Sequence, residues 1–421
     1  MSDLAWIDAA LTSARPQAIG ALLRYFRDLD TAEEAFQEAC LRALKKWPEN
    51  GPPRDPAAWL IFVARNAAID EARRHGGQQP LPPDELLSDR GDAESALAEG
   101  LDHAHYRDDV LRLLFICCHP DLPATQQIAL ALRVVSGLSV AQIARAFLVS
   151  EAAMEQRITR AKNCIAHADV AFDTPGAPER AGRLVAVAAM IYLIFNEGYS
   201  ASPAVPGRAP LCDEAIRLAR LLLRLFQDEP EIMGLCALLL LQHARTPARF
   251  DAAGAIVLLE DQDRTAWDHK MINEGLALID KAMRHNRRGA YLVQAAIAAL
   301  HARAARPQET DWAQIDLLYA TLERLQPSPV VTLNRAVAVA KVRGPAEALA
   351  MVEPLGAQLG GYFHYFGLKG ALLMQLGRGD EARVAFDQAI ARANTAAEAA
   401  HIRMHLDRLI KDSAKTGGGS A

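Results

Sequence analysis

The chain has 421 residues, of which 51% are apolar and 6% aromatic, and carries a net charge of -5 at neutral pH. That length exceeds what a single hydrophobic core serves, and the Ala- and Leu-rich composition reads as globular and mostly helical. The acidic balance excludes a wholly basic nucleic-acid binder, so any DNA contact has to come from local clusters of Arg and Lys.

The opening segment, MSDLAWIDAAL, has neither the basic start nor the small-residue cleavage site of a secretory signal, and no apolar run reaches membrane-spanning length. A cytoplasmic protein is expected. Apolar positions Ile19, Leu22, Leu23 and Phe26 then recur at helical spacing from Pro16 onward. Thr31, with Glu34 three residues later, predicts a capping box ahead of a buried stripe of Phe36, Cys40, Ala43, Leu44 and Trp47. The opposite face carries Glu33, Glu34, Gln37, Glu38 and Arg42, and reads either as a solvated acidic surface or as a docking surface for a basic partner.

Pro48 to Pro56 is a turn-rich break, and Asp55-Pro56 supplies an N-cap and a favoured first helical residue. The helix that follows is expected to turn Trp59, Phe62, Val63 and Ala67 inward and Arg65, Asn66, Arg73 and Arg74 outward. Arginines on an exposed helix can neutralise phosphates, and Asn offers a base edge both a donor and an acceptor. The same Arg-rich end also reads as a favourable partner of the helix dipole.

The stretch from Arg73 to Gly100 is rich in Gly, Pro and Asp, the composition of a flexible linker. Ser139 with Gln142 predicts a second capping box, with Val140, Ile143, Ala144 and Phe147 apolar; after a tight connection Ser150 caps another helix. Two short, closely joined helices suit a helix-turn-helix. On the second, Met154, Ile158, Ala161 and Ile165 mark the core side, which leaves Ala152, Ala153, Gln156, Thr159 and Arg160 opposite and Arg157 and Lys162 at the flanks. Small residues let such a helix enter a major groove, and Gln156 and Arg160 are long enough to reach bases or phosphates. An ordinary helical hairpin, with Glu151 and Glu155 weakening the positive field, is the competing reading.

Taken in order, Trp59-Leu60, Ala64-Arg65-Asn66, Asp70 and Arg73-Arg74, then Leu138-Ser139, Ile143-Ala144, Val149-Ser150-Glu151, Arg157 and Arg160-Ala161-Lys162, form a paired signature. Residues Ile19 to His75 resemble the region-two domain of extracytoplasmic-function sigma factors, and Asp109 to His167 resemble their region-four domain. The resemblance implies a non-enzymatic RNA polymerase sigma factor whose partners are the bacterial polymerase core and promoter DNA, with no cofactor, metal or membrane. It implies polymerase contacts at Glu33, Glu34, Gln37 and Glu38, and contacts to the melted minus-ten element at Arg65, Asn66, Asp70, Arg73 and Arg74. Ser150, Ala153, Gln156, Arg157, Arg160 and Lys162 would meet the minus-thirty-five duplex. A flexible linker would let two weak readers act as one bivalent binder.

Minimal members of that family stop near Asp169, whereas this chain continues with helical patterns to its end. Gly370, Gly377, Ala382, Phe386 and Ala389 fall at the small and aromatic positions of a tetratricopeptide repeat; Ala336, Gly344 and Ala348 outline an earlier copy, and Tyr319 and Pro327 hint at a third. Such repeats offer a concave surface to a peptide or a neighbouring domain; a folded appendage is the competing reading, and an extension that regulates activity or recruits a partner is expected, since its bulk must alter access to the DNA-facing halves. Asp261, Gln262, Asp263, Arg264, Trp267 and Asp268 are similar to a segment that marks the long-extension sigma group, implying a contact motif; a capped helix start with an anchored Trp267 explains the same residues.

The fold class is therefore all-α, divided into a region-two domain at 10–76, a linker at 77–103, a region-four helix-turn-helix domain at 104–169, a helical extension domain at 170–285, repeat-like helices at 286–412 and a flexible tail at 413–421. The six cysteines read as core thiols; consecutive Cys117, Cys118 and His119 cannot easily wrap one tetrahedral ion. A helix-turn-helix activator with repeats, working beside another sigma factor, is the alternative, but it leaves the Trp59 to Arg74 motif without a purpose. A third reading, an enzyme centred on Asp261, Asp263, Arg264 and Asp268, lacks any accompanying nucleophile and base.

Overall fold

The computed structural model describes residues 5–51, 53–74, 103–147, 149–167, 177–199, 209–252 and 254–393, together with 399, 402 and 403. These are helical almost throughout, and the one strand-like feature among them is an isolated antiparallel bridge between Phe250 and Ile256. No described helix is long and apolar enough to cross a membrane. The chain divides into two compact units, Met1–Glu197 and Gly198–Ala421.

The first unit opens with α1 (Ala5–Phe26), α2 (Leu29–Asn50) and α3 (Pro56–Arg74), which pack on one another. Helix α1 begins well before Pro16, which the pattern took as its start; Pro16 sits inside the helix, where Ile7 and the stacking of Trp6 on Trp47 at 6.1 Å anchor the preceding turns. The N-cap of α2 is Asp28 rather than Thr31: its carboxylate accepts from the Thr31 amide at 2.7 Å and the Thr31 hydroxyl at 2.6 Å, so Thr31 is a donor to the cap. Nor does the helix stop at Pro48. It runs to Asn50 and closes on Gly51 at φ +76°, because a proline in the last turn forfeits one bond while buried Trp47, packed on Trp59, holds that turn in place. Asp55 caps α3 as expected, accepting from the Ala57 and Ala58 amides at 2.9 and 3.1 Å.

Two inward faces are shifted from the pattern. In α2, Leu44 is 46% exposed while Ala39 and Ala43 are buried; in α3, Leu60, Ile61 and Ala64 take the core, with Trp59, Phe62 and Val63 half-buried. Small alanines let helices approach more closely, and the larger side chains are displaced to the edge of the contact.

Helices α4 (His103–Cys117), α5 (Ala124–Val134), α6 (Val140–Ala146), α7 (Glu151–His167) and α8 (Ala177–Tyr199) follow. Cys117 and Cys118 are buried, and burial pushes the Cys118 thiol up to about 12, its sulfur lying 3.5 Å from the Met190 sulfur of α8. No group of three or more His, Cys, Asp or Glu placed to hold a metal ion occurs among the described residues.

The second unit contains α9 (Ala209–Leu225), α10 (Pro230–His243), α11 (His269–Met283), α12 (Ala290–Arg303), α13 (Trp312–Leu325), α14 (Pro329–Arg343), α15 (Pro345–Val352), α16 (Gly356–Leu359), α17 (Phe363–Gln375) and α18 (Gly379–Ile390). Helix α10 is buried on every side from Ile232 to Leu241. It crosses α12 in backbone contact at Gly234, where a Cβ would lie 2.5 Å from the Leu292 nitrogen. Gly289, the N-cap of α12, has no side chain with which to cap; Glu231 from α10 substitutes, accepting from the Tyr291 and Leu292 amides at 3.1 Å each.

Farther along, Arg335 of α14 bonds Asp316 and Glu323 of α13, each at 2.7 Å. The α17–α18 hairpin is equally close-packed: a Cβ on Gly370 would meet the Phe386 ring at 2.6 Å, Gly377 turns the chain at φ +73°, and Ala382, Phe386 and Ala389 are buried. Gly234→Ala should destabilise the second unit by about 1–3 kcal/mol, since overpacking against backbone outweighs the helix propensity gained. Thermal unfolding followed by helical circular dichroism checks this, and an unchanged or raised midpoint would contradict it.

Candidate polymerase and nucleic-acid interface

Helices α6 and α7 pack on each other across a short connection. Ser139 and Gln142 make a reciprocal capping box: the Ser139 hydroxyl accepts from the Gln142 amide at 3.2 Å, and the Gln142 side chain accepts from the Ser139 amide at 2.8 Å. Ser150 caps α7 by accepting from the Ala153 amide at 3.2 Å. With Met154, Ile158, Ala161 and Ile165 buried, α7 presents Ala152, Gln156, Thr159 and Arg160 to solvent, while Ala153 and Arg157 lie half-exposed at the edges. Glu151 and Glu155 are exposed on the same helix and offset Arg157 and Arg160, so this is a mixed polar face beginning with small residues.

Lys162 departs from that face. Its ammonium reaches α2, donating to Asp30 at 2.5 Å and to Glu33 at 2.6 Å, and its side chain is only 19% exposed. Burial alone would lower the Lys162 pKa; the hydrogen bonds to the two carboxylates outweigh it and hold the group above its ordinary value. Glu33, in turn, is 6% exposed and also accepts from Arg15 at 3.0 Å. The residues expected to meet polymerase therefore separate. Glu33 is committed inside the unit, whereas Glu34 and Gln37 are exposed and Glu38 is half-exposed, bonded to Arg42 at 2.9 Å. Leu41, 54% exposed, and Leu44, expected in the buried stripe, continue that outer face.

On α3, Arg65 lies with its guanidinium 4.4 Å over the Tyr25 ring and its Nε buried, so it is held against α1 instead of standing free; Asn66 beside it is half-exposed. The side chains of Asp70, Arg73 and Arg74 lie outside the described residues.

In the second unit, the Asp261 to Asp268 segment acts as a joint. Asp263 accepts from the Thr265 amide and hydroxyl at 2.9 and 2.6 Å, and Asp268 caps α11 through the Lys270 and Met271 amides. Arg264 donates to the His301 and Ala304 carbonyls at 2.6 and 2.5 Å, closing the C-terminal end of α12, and lies 5.0 Å over buried Trp267. Buried Gln262 donates to the Val257 carbonyl at 3.1 Å, while Asp261 is exposed. The capped start and the anchored tryptophan are both present.

Residues 11–78 match the Sigma-70 region 2 family and residues 112–165 the Sigma-70 region 4 family, in the order of the α1–α3 and α4–α7 groups. Residues 183–283 match a family of unknown function, DUF6596. The chain belongs to the extracytoplasmic-function sigma-70 family and carries a C-terminal extension. It is 26% identical to the ECF RNA polymerase sigma factor SigC of Mycobacterium tuberculosis over 37% of this chain and 80% of that protein, and 33% identical to the ECF RNA polymerase sigma factor BldN of Streptomyces coelicolor over 32% of this chain and 50% of that one. An uncharacterized protein of Rhizobium meliloti is 71% identical over 98% of both chains, so the extension of this sigma factor is shared along its whole length by that relative.

His301, enclosed at the same joint, gives a pH test. Burial, then the charges of Arg245 and Arg264, lower its pKa from 6.5 to about 4. Because the folded value lies below the unfolded one, the contribution is complete above pH 6.5 and is lost as pH falls toward 4. Denaturant unfolding should show the second unit losing on the order of 3 kcal/mol across that window, and His301→Gln should remove this part of the decline. An identical pH profile in the variant would contradict the assignment.

Proposed function

We propose that this sigma factor binds core polymerase through the outer face of α2 and reads promoter DNA through α3 and α7, and that its extension regulates activity or recruits a partner. The observation that carries the reading is the outward face of α7. A helix that spends Met154, Ile158, Ala161 and Ile165 on the core and keeps Gln156, Thr159 and Arg160 outside, after two small residues, has the form of a major-groove reader. Ser150 orders its N-terminus, Ala153 permits close approach, and Arg157 and Arg160 supply charge for phosphates, joined by Lys162 once it is released from Asp30 and Glu33. On α2, Glu34, Gln37 and Glu38 with Leu41 and Leu44 offer an acidic rim around an apolar strip, the composition of a protein-docking surface. Arg65, Asn66, Asp70, Arg73 and Arg74 are assigned to the melted strand on the strength of the region-two match.

For the extension, the Gly370 and Phe386 packing and the 34-residue offset of Ala348 from Ala382 support a tetratricopeptide-like reading. A groove of about 330 Å3 between α11, α12 and α13 has apolar walls that include Met283, Leu292, Leu300 and Leu318. Asp280 at its edge lies 3.5 Å from Arg303, and exposed Arg288 has no carboxylate partner among the described residues. The fitting occupant is a peptide that carries a carboxylate beside apolar side chains. Asp261, exposed on an otherwise internally bonded joint, is the member of the Asp261 to Asp268 motif available for contact.

In-vitro transcription with sigma-free core polymerase on a genomic promoter library tests the reading. The full chain should give discrete transcripts, and Gln156→Ala with Arg160→Ala should reduce them about 10-fold or more by removing roughly 1–3 kcal/mol of contact at each position. A chain ending at Glu197 should change the yield in one direction or the other. Transcripts indifferent to the α7 substitutions would overturn the groove assignment, and identical yields from both lengths would overturn regulation by the extension.

A further inference from the structure

The two sigma halves meet inside the first unit, and the meeting uses residues the function needs. Arg15 of α1 crosses to the end of α5, donating to the Val134 carbonyl at 2.9 Å and the Arg133 carbonyl at 3.2 Å, and bonds Glu33 of α2 with the same guanidinium. Lys162 of α7 bonds Glu33 and Asp30. A second seam lies along α1 and α4, where a Cβ on Gly20 would meet the Asp109 carbonyl oxygen at 2.6 Å and Arg24 lies 3.4 Å from the Asp109 carboxylate. Gly137, at φ +74°, sits where a Cβ would lie 2.9 Å from Arg15, so the arginine is packed as well as bonded.

Resting on the sigma-factor reading, we propose that Arg15, Asp30, Glu33 and Lys162 form a latch. Glu33, near the N-terminal end of α2, is the interaction group for a cationic partner; it is occupied in cis by Arg15 and by Lys162, which Asp30 only helps to hold, and core polymerase engages the chain fully only after that internal pair is exchanged.

The physical case is one of competition. Glu33 cannot face polymerase while it is buried against Arg15 and Lys162, and Lys162 cannot reach a phosphate while it neutralises two carboxylates. A protein whose competent form is a minor population binds with an affinity reduced by that fraction. The latch is suited to exchange because Asp30 is 72% exposed, so part of its attraction is screened. Removing one partner of a largely buried pair leaves an uncompensated charge and favours opening.

Amine footprinting of the full chain, with acetylation at each lysine read by mass spectrometry, reports the latch directly. Lys162 should react at least about 10-fold more slowly than exposed Lys45 and Lys46 on α2, and should speed up when core polymerase is added or when Asp30→Asn is introduced. Both Asp30→Asn and Arg15→Met should tighten core-polymerase binding by about 3- to 10-fold. One variant removes an acid and the other a base, so a simple charge effect on docking would move them in opposite directions. Lys162 as reactive as Lys45 in the free chain would overturn the latch, as would a slow Lys162 combined with unchanged or oppositely shifted affinities. Should Arg15→Met lose its helical signal, Asp30→Asn decides: a faster Lys162 with tighter binding supports the latch, and either one unchanged overturns it. Absence of polymerase binding by every form would instead reject the sigma-factor reading, while the footprint still reports whether α7 is held on α2.

Discussion

Of the two buried carboxylates in the described part of the first unit, Glu33 and Asp109, Glu33 joins the most distant parts of the chain. Glu33 would cost several kcal/mol if left unpaired away from water, and the fold meets that cost with two cations from different parts of the chain, Arg15 eighteen residues before it and Lys162 129 residues after it. Because Arg15 also closes the carbonyl end of α5, three separate stretches converge on one group: α1 with α2, the end of α5, and α7. The interaction acts mainly as a constraint on geometry, since a buried pair contributes modest net stability but penalises arrangements that separate its members. The α1–α4 seam, with Gly20 against the Asp109 backbone, has the same character in steric form.

This constraint separates the residues proposed for polymerase and DNA from those the chain leaves open. The outer face of α7, with Gln156, Thr159 and Arg160, stays open, as does the Glu34, Gln37, Leu41 and Leu44 face of α2. Glu33 and Lys162 are engaged with each other, and Arg65 is laid on Tyr25. The second unit uses arginines in a related way: Arg264 closes α12 and Arg335 binds α14 to α13, so the Asp261 to Asp268 segment serves architecture through most of its side chains.

Much of this was legible because helical periodicity and capping are local. The four buried positions of α7, the Ser139–Gln142 box, the Ser150 cap and the Asp55 cap all follow from residues within a turn or two of each other. Readings that failed had a local rival or a tertiary cause. Asp28 and Thr31 are both good N-caps, and only the observed hydrogen bonds distinguish cap from donor. Pro16 and Pro48 read as boundaries, yet both helices run through them because Trp6, Trp47 and Trp59 pack the flanking turns. Leu44 has the spacing of a core residue, yet buried Ala39 and Ala43 of the same helix make the contact and leave it at the edge. The Glu33–Lys162 bond carries no signal in the sequence at all; each residue belongs to a separate motif, and a Gly- and Pro-rich stretch between them encourages reading the halves as independent.

The central claim is that the free sigma factor holds its two halves closed and opens on polymerase. Pulsed dipolar spectroscopy between spin labels on α2 and α7, placed at Lys45→Cys and Glu155→Cys in a chain where Cys40 and Cys164 are serine, measures this directly. One narrow, short distance is expected in the free chain and a distinctly longer one in the complex with core polymerase. The same distance in both states, or a broad distribution in the free chain, would contradict that claim.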